Sequence, residues 1–176
     1  EGEVFVGAET ATSNSNKNAF ISGSKNLSVL SKITSITNAN PDANGTAVPT
    51  GISAIGQFKV AAAAHNNSKN GDNDVVLSGI VFNVNATNVS VAANTFKLYN
   101  KADQTKKVTC DDMDLGGTSV TGVASGTLLV QCIGLAADAM DSEIDEGTDS
   151  TFVLEADITN PNNQAANGGV SVLQVS

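Results

Sequence analysis

Short runs in which small apolar residues alternate with Ser, Thr and Asn recur along this chain, and that alternation limits the fold more than anything else in it. A period of two places successive side chains on opposite faces of an extended strand. The runs are rich in Val, Ile and Thr and are broken by Asn, Gly and Asp, the residues that make turns. STFVLEADIT (150–159) carries Phe152, Leu154, Ala156 and Ile158 on one face. VVLSGIVFNVNA (75–86) has Ile80, Phe82 and Val84 on one face and Val75, Leu77 and Val81 on the other, so it reads as an interior strand. AIGQFKVAAAA (54–64) alternates imperfectly, with a bulge expected near Gly56–Gln57. LSVLSKITSIT, NVSVAANTFKLYN, KKVTC, TSVTGVA, GTLLVQCIG and GGVSVLQVS complete the set, with Phe96 and Leu98 expected inward. Only LAADAMDSEID (135–145) has helix formers enough for a single turn, and Gly134 and Gly147 confine it. About eight to ten strands at this spacing predict an all-β protein: an antiparallel β-sandwich of jelly-roll or Ig-like Greek-key type.

At 176 residues the chain fits one such domain. Apolar residues make up 40% and aromatics only 4%, so the expected core is Val, Ile, Leu and Ala between two sheets about 10 Å apart. The formal charge is −9 with 18 acids against 9 lysines. That balance excludes a nucleic-acid binder, which needs a basic stripe to neutralise phosphates, and charge-driven adhesion to anionic lipid. No apolar run reaches the ~20 residues of a membrane helix, so no membrane insertion is expected of this chain. EGEVFVGAET has the look of a processed N-terminus.

Catalysis at neutral pH draws mainly on His, Arg, a reactive Cys or a carboxylate cluster in a cleft. This chain has no arginine, no tryptophan and one histidine, His65, which ends an Ala run at a polar turn and has no nucleophile with an orienting acid beside it. An enzyme is not expected, and no catalytic residue is assigned. Tyr99 reads as a strand-end ring covering the core edge, its hydroxyl capping backbone. Cys110 and Cys132 lie in strand-like runs with 21 residues between them. Two isolated cysteines in a chain of secreted character are expected to pair, worth about 3 kcal/mol for a loop of that size; the alternative is two buried thiols packing as small apolar residues. Asp111, Asp112 and Asp114 offer hard oxygen ligands of the kind Ca²⁺ takes, and Asn70–Asp74 and Asp141–Glu146 form further acidic turns. Solvated turns are the plainer reading of all three. Asn26, Asn44, Asn66, Asn85 and Asn88 stand in Asn-x-Ser/Thr triplets, which a chain this rich in Asn, Ser and Thr also makes by chance.

Residues 1–25 read as a separate extension, and 26–176 as the sandwich domain. The extension holds two short apolar patches, Val4–Val6 and Phe20–Ile21, around the polar ATSNSNKN. Nothing in it builds a core alone; it is either a tail or a strand that pairs with a sheet edge elsewhere.

The stretch FKVAAAA through GDNDVVLSGIVFNVNATNVSVAANTFKLYNKADQTKKVTC, with VLEADITNP after it, resembles modules of bacterial and archaeal cell-surface proteins over roughly residues 55–160. That resemblance implies a surface-layer, pilus or extracellular-filament β-sandwich without catalytic residues. A looser likeness, to donor-strand filaments of the TasA-like and archaeal bundling-pilus type, implies that residues 1–25 complete the sheet of another copy. Val4, Phe5, Val6, Phe20 and Ile21 would be the anchors and a homopolymer the product. The other readings are an adhesion or binding module of a larger surface protein, calcium-stabilised or not, and a viral surface sandwich.

Overall fold

Strand β11 (Asp149–Asn160) follows the alternation closely: Phe152, Leu154, Ala156 and Ile158 are all fully buried. It pairs along its length with β2 (Gly51–Ala62) and on its other side with β5 (Ser90–Val91) and β6 (Lys97–Asn100). In the computed structural model the described residues are 31–41, 47–64, 74–118, 120, 126–135, 139–161 and 170–176. They contain β-strands and no helix. All pairings are antiparallel, and the protein is an antiparallel β-sandwich.

One sheet runs β1 (Ile33–Asn38), β2, β11, β6, β7 (Asp103–Thr109), with β5 beside β6 on β11. The other runs β12 (Val172–Val175), β4 (Gly79–Thr87), β9 (Gly126–Ile133), β8 (Asp111–Met113). A small ladder, β3 (Val75–Val76) on β10 (Glu143–Ile144), pairs with neither sheet, though Ile144 is buried in their common core. The sheets meet where Phe58 of β2 lies 5.6 Å from Phe82 of β4, ring to ring, and 5.5 Å from Phe152 of β11. They also approach closely at Gly56, where a Cβ would come within 3.2 Å of the Val175 side chain, so a larger residue there would need that side chain to shift by a few tenths of an ångström.

At one side of the sandwich the chain passes directly from sheet to sheet. β7 ends the first sheet, Cys110 turns with its N–H donating to the Phe96 carbonyl at 2.9 Å, and β8 joins the second. Cys110 and Cys132 of β9 form a disulfide across this corner, both buried, with Cα atoms 4.3 Å apart. The cysteines pair as the sequence predicts. In the chain-entropy account the crosslink stabilises by restricting the unfolded chain, by about 3 kcal/mol.

Several expectations are corrected. The core is not ring-poor: Phe58, Phe82, Phe96 and Phe152 are buried at its centre, because the few aromatics of the chain are concentrated on inward positions. The 75–86 run is two strands, since β3 pairs with β10 while β4 joins the second sheet. β4 is interior to its sheet, yet only one face is buried, and Val81 is 51% exposed. The bulge falls at Ile55, which the register skips between Gly56 and Ala54. Within 135–145 the described residues form a turn and β10 rather than a helical turn. The extension, with Val4, Phe5, Val6, Phe20 and Ile21, lies outside the described residues, as do Asn26, Asn44, Asn66, His65, Asn70–Asn73 and most of TSVTGVA.

Candidate assembly interface

Around β6, β7 and β11 the outer face of the first sheet is tied together rather than open. Tyr99, Lys107 and Glu155 meet there, since β6 places Tyr99 opposite Lys107 of β7 and next to the Glu155 row of β11. The Lys107 ammonium donates to both Glu155 carboxylate oxygens at 2.8 and 2.7 Å and sits 4.6 Å over the Tyr99 ring. Glu155 is 7% exposed, so this pair is partly desolvated and each charge requires the other. Burial raises the Tyr99 phenol above its ordinary value; the Glu155 carboxylate pushes the same way and Lys107 opposes it. Beside them the Lys101 ammonium donates to Gln57 Oε1 at 3.1 Å. Tyr99 therefore lies on the outer face, not at the core edge as its position at a strand end led us to expect.

The proposed calcium ligands do not converge. β8 alternates, so Asp111 points outward while Asp112 points into the fold, where its Oδ2 accepts from the Asn94 N–H at 3.0 Å. Asp114 closes its own loop, one oxygen accepting from the Gly116 and Thr118 N–H groups, each at 2.8 Å. Among the described residues no group of three or more His, Cys, Asp or Glu could hold a metal ion. Asp74 accepts from the Glu146 N–H at 2.9 Å, tying the start of β3 to the turn after β10. Of the triplet asparagines, Asn85 stands exposed on the outer face of β4. Asn88 has left-handed backbone (φ 55°) and donates through its side-chain amide to the Val170 carbonyl at 3.0 Å.

What remains are the sheet edges. A strand at an edge presents unpaired backbone groups, and proteins that stay monomeric usually blunt it with charge, proline or a bulge. The β7 edge is blunted in this way by Lys106 and Lys107. The opposite side of the sandwich is different. β1 (ITSITN) ends the first sheet and β12 (VLQV) ends the second; neither carries a charge or a proline, and of the two only β1 is interrupted by a bulge, between Ile33 and Ser35.

Register shows what is uncovered there. Ile33, Ile36 and Asn38 pair with Ala62, Val60 and Phe58, which are the inward, buried residues of β2. Ile33 and Ile36 therefore face inward too, yet they are 42% and 63% exposed. The cause is a mismatch in width. The first sheet is one strand wider than the second, with β12 beneath β2 and no described strand beneath β1. Among the described residues, the inner face of β1 overhangs a slot beside an edge of β12 that no strand pairs with. β12 itself is held on its other side by β4, with Asn83 and Ser176 exchanging backbone bonds of 2.8 and 3.0 Å.

Sequence reasoning did not single out Ile33, Ile36 or β12. The absence of charge in both runs was visible, but their exposure depends on what lies opposite, which is a long-range property. Comparison with protein-family models, with curated proteins and with solved structures finds no match to this chain. Among the described residues no helix is long and apolar enough to cross a membrane, which says nothing of spanning by strands.

Proposed function

We propose that this protein is a non-catalytic structural subunit of an extracellular filament, pilus or surface layer, and that copies join head to tail by strand addition. The observation that carries the reading is the overhang: Ile33 and Ile36 sit on inward register positions yet stay 42% and 63% exposed, with no described strand over them, at a side of the sandwich whose edge strands carry no charge. In strand addition, backbone hydrogen bonds supply affinity and alternate side chains fill the groove. The segment suited to this is Glu1–Lys25, with Val4, Phe5 and Val6, and Phe20 and Ile21, as anchors. A contact between an extension on one copy and a slot on the next is head to tail, and it propagates into a fibre where its rotation does not close a ring. The disulfide fits an oxidising, extracellular setting, where such bonds persist.

The test is negative-stain electron microscopy of the whole chain beside the chain lacking residues 1–25. Filaments or sheets from the first and monomers from the second are expected. Monomers from both, or unchanged filaments from the truncated chain, would remove strand addition by this segment.

A further inference from the structure

We infer that the incoming strand adds to β12, not to β1, and that the Val4–Val6 segment of a second copy is the occupant, lying beneath the β1 overhang. This rests on the strand-addition reading above and specifies its acceptor. Among the described residues two edges on this side have no neighbouring strand, and they differ in what an added strand would bury. A strand paired with β1 would widen the sheet that already overhangs and leave Ile33 and Ile36 as uncovered as before. A strand paired with β12 would widen the narrower sheet to match and lie under those two residues, and its backbone would meet an edge with no charge or proline to repel it.

The inner residues of β12 point the same way. Leu173 and Val175 pack against the core but remain only partly buried, as expected of the last strand of a sheet whose neighbour is missing. The outward residues, Val172 and Gln174, are exposed, so a neighbouring strand meets no steric obstacle on that face.

The choice of segment follows from period-two geometry. Val4 and Val6 are two apart, share one face of an extended strand, and can meet Ile33 and Ile36 together. The Phe20–Ile21 patch cannot do this, because Phe20 shares its face with Asn18 and Ser22, and Ile21 shares its face with Ala19 and Gly23. Charge also agrees: Lys32 stands exposed at the start of the overhanging strand, and Glu1, Glu3 and Glu9 flank the valines. Residues 7–31 could span up to roughly 80 Å when extended, ample for reaching a neighbour's slot.

Disulfide trapping in the whole chain tests this, since both native cysteines are already bonded to each other. With Val4 and Val6 inward, Phe5 faces outward beside Val172 or Gln174, at the cross-strand distance of about 4.5–5.5 Å that a disulfide can bridge. Phe5→Cys would be combined with Gln174→Cys, with Val172→Cys, and, as the rival edge, with Thr37→Cys on the outer face of β1. All three substituted positions on the sandwich are exposed, and filament formation by each variant under mild reductant is checked first by microscopy. Oxidation is expected to give a reductant-sensitive ladder of dimers and higher multimers on a non-reducing gel for a β12 pair and none for Thr37. A ladder from Thr37, or filaments that give no ladder with either β12 position, would overturn the assignment to β12 while leaving the strand-addition reading standing. Failure of the unsubstituted chain to assemble at all would overturn both.

Discussion

Tyr99 is the only tyrosine of the chain, so its ionisation can be followed alone. Burial and the Glu155 carboxylate hold the phenol above 10.0, against the pull of Lys107. A group whose pKa is raised on folding adds stability below its unfolded value and loses it as pH climbs through the folded one. Stability is therefore expected to hold to about pH 10 and to fall above it, with a tyrosinate absorbance midpoint above that of the denatured chain. Glu155→Gln should move that midpoint down, because it removes a charge that opposes the phenolate; a midpoint unmoved by the change would show that burial alone sets it. The disulfide offers a second single-site test. Replacing Cys110 and Cys132 together by Ala should lower the unfolding free energy by about 3 kcal/mol, read as an earlier urea midpoint. The loss comes chiefly from freeing the unfolded chain, so the strand pattern by circular dichroism should survive it.

At the scale of strands, the sequence was most legible where one face is buried and the other solvated. β11 shows this best: the four residues assigned inward from alternation are all fully buried. Legibility failed where alternation could not say which sheet a strand joins. The 75–86 run looked like one strand because both faces are apolar, yet Val75 and Val76 pair with β10, and β4 turns Val81 to solvent. The edges were hidden for a related reason. ITSITN reads as a modest strand, and only its register against β2, with no described strand beneath, shows that Ile33 and Ile36 are exposed inner residues. This gives an element-scale prediction with a built-in control. Ile36→Lys replaces a residue 63% exposed, so it should change unfolding free energy by no more than about 0.5 kcal/mol while abolishing assembly by microscopy. Ile52→Lys, at 71% exposure on the outer face of β2, should leave both unchanged. Equal loss of assembly in the two variants would mean that added charge alone disrupts it and that the overhang has no special part.

At the scale of the whole sandwich, the described residues close one side and leave the other with sheets of unequal width. The β7–β8 side is closed by continuous chain, a buried disulfide and a lysine-bearing edge. The β1–β12 side has unequal sheets and two uncharged edges. Such asymmetry makes the stability of the isolated sandwich depend on whatever fills the slot, because a ligand that binds only the folded state stabilises it by mass action. The chain lacking residues 1–25, mixed with a synthetic peptide of residues 1–25, should therefore melt at a temperature that rises with peptide concentration. At a hundredfold excess over the dissociation constant the gain is about 2.7 kcal/mol, which for a domain of this size amounts to several degrees. A peptide with Val4→Asp and Val6→Asp should give no rise, since both inward positions would then bury an unpaired carboxylate. The truncated chain carrying Ile36→Lys should respond more weakly to the unaltered peptide, because the roof of the slot is then charged. A rise that ignores the valine substitutions would mean that the peptide binds elsewhere, and the mismatch in sheet width would then be a feature of the fold rather than of its assembly.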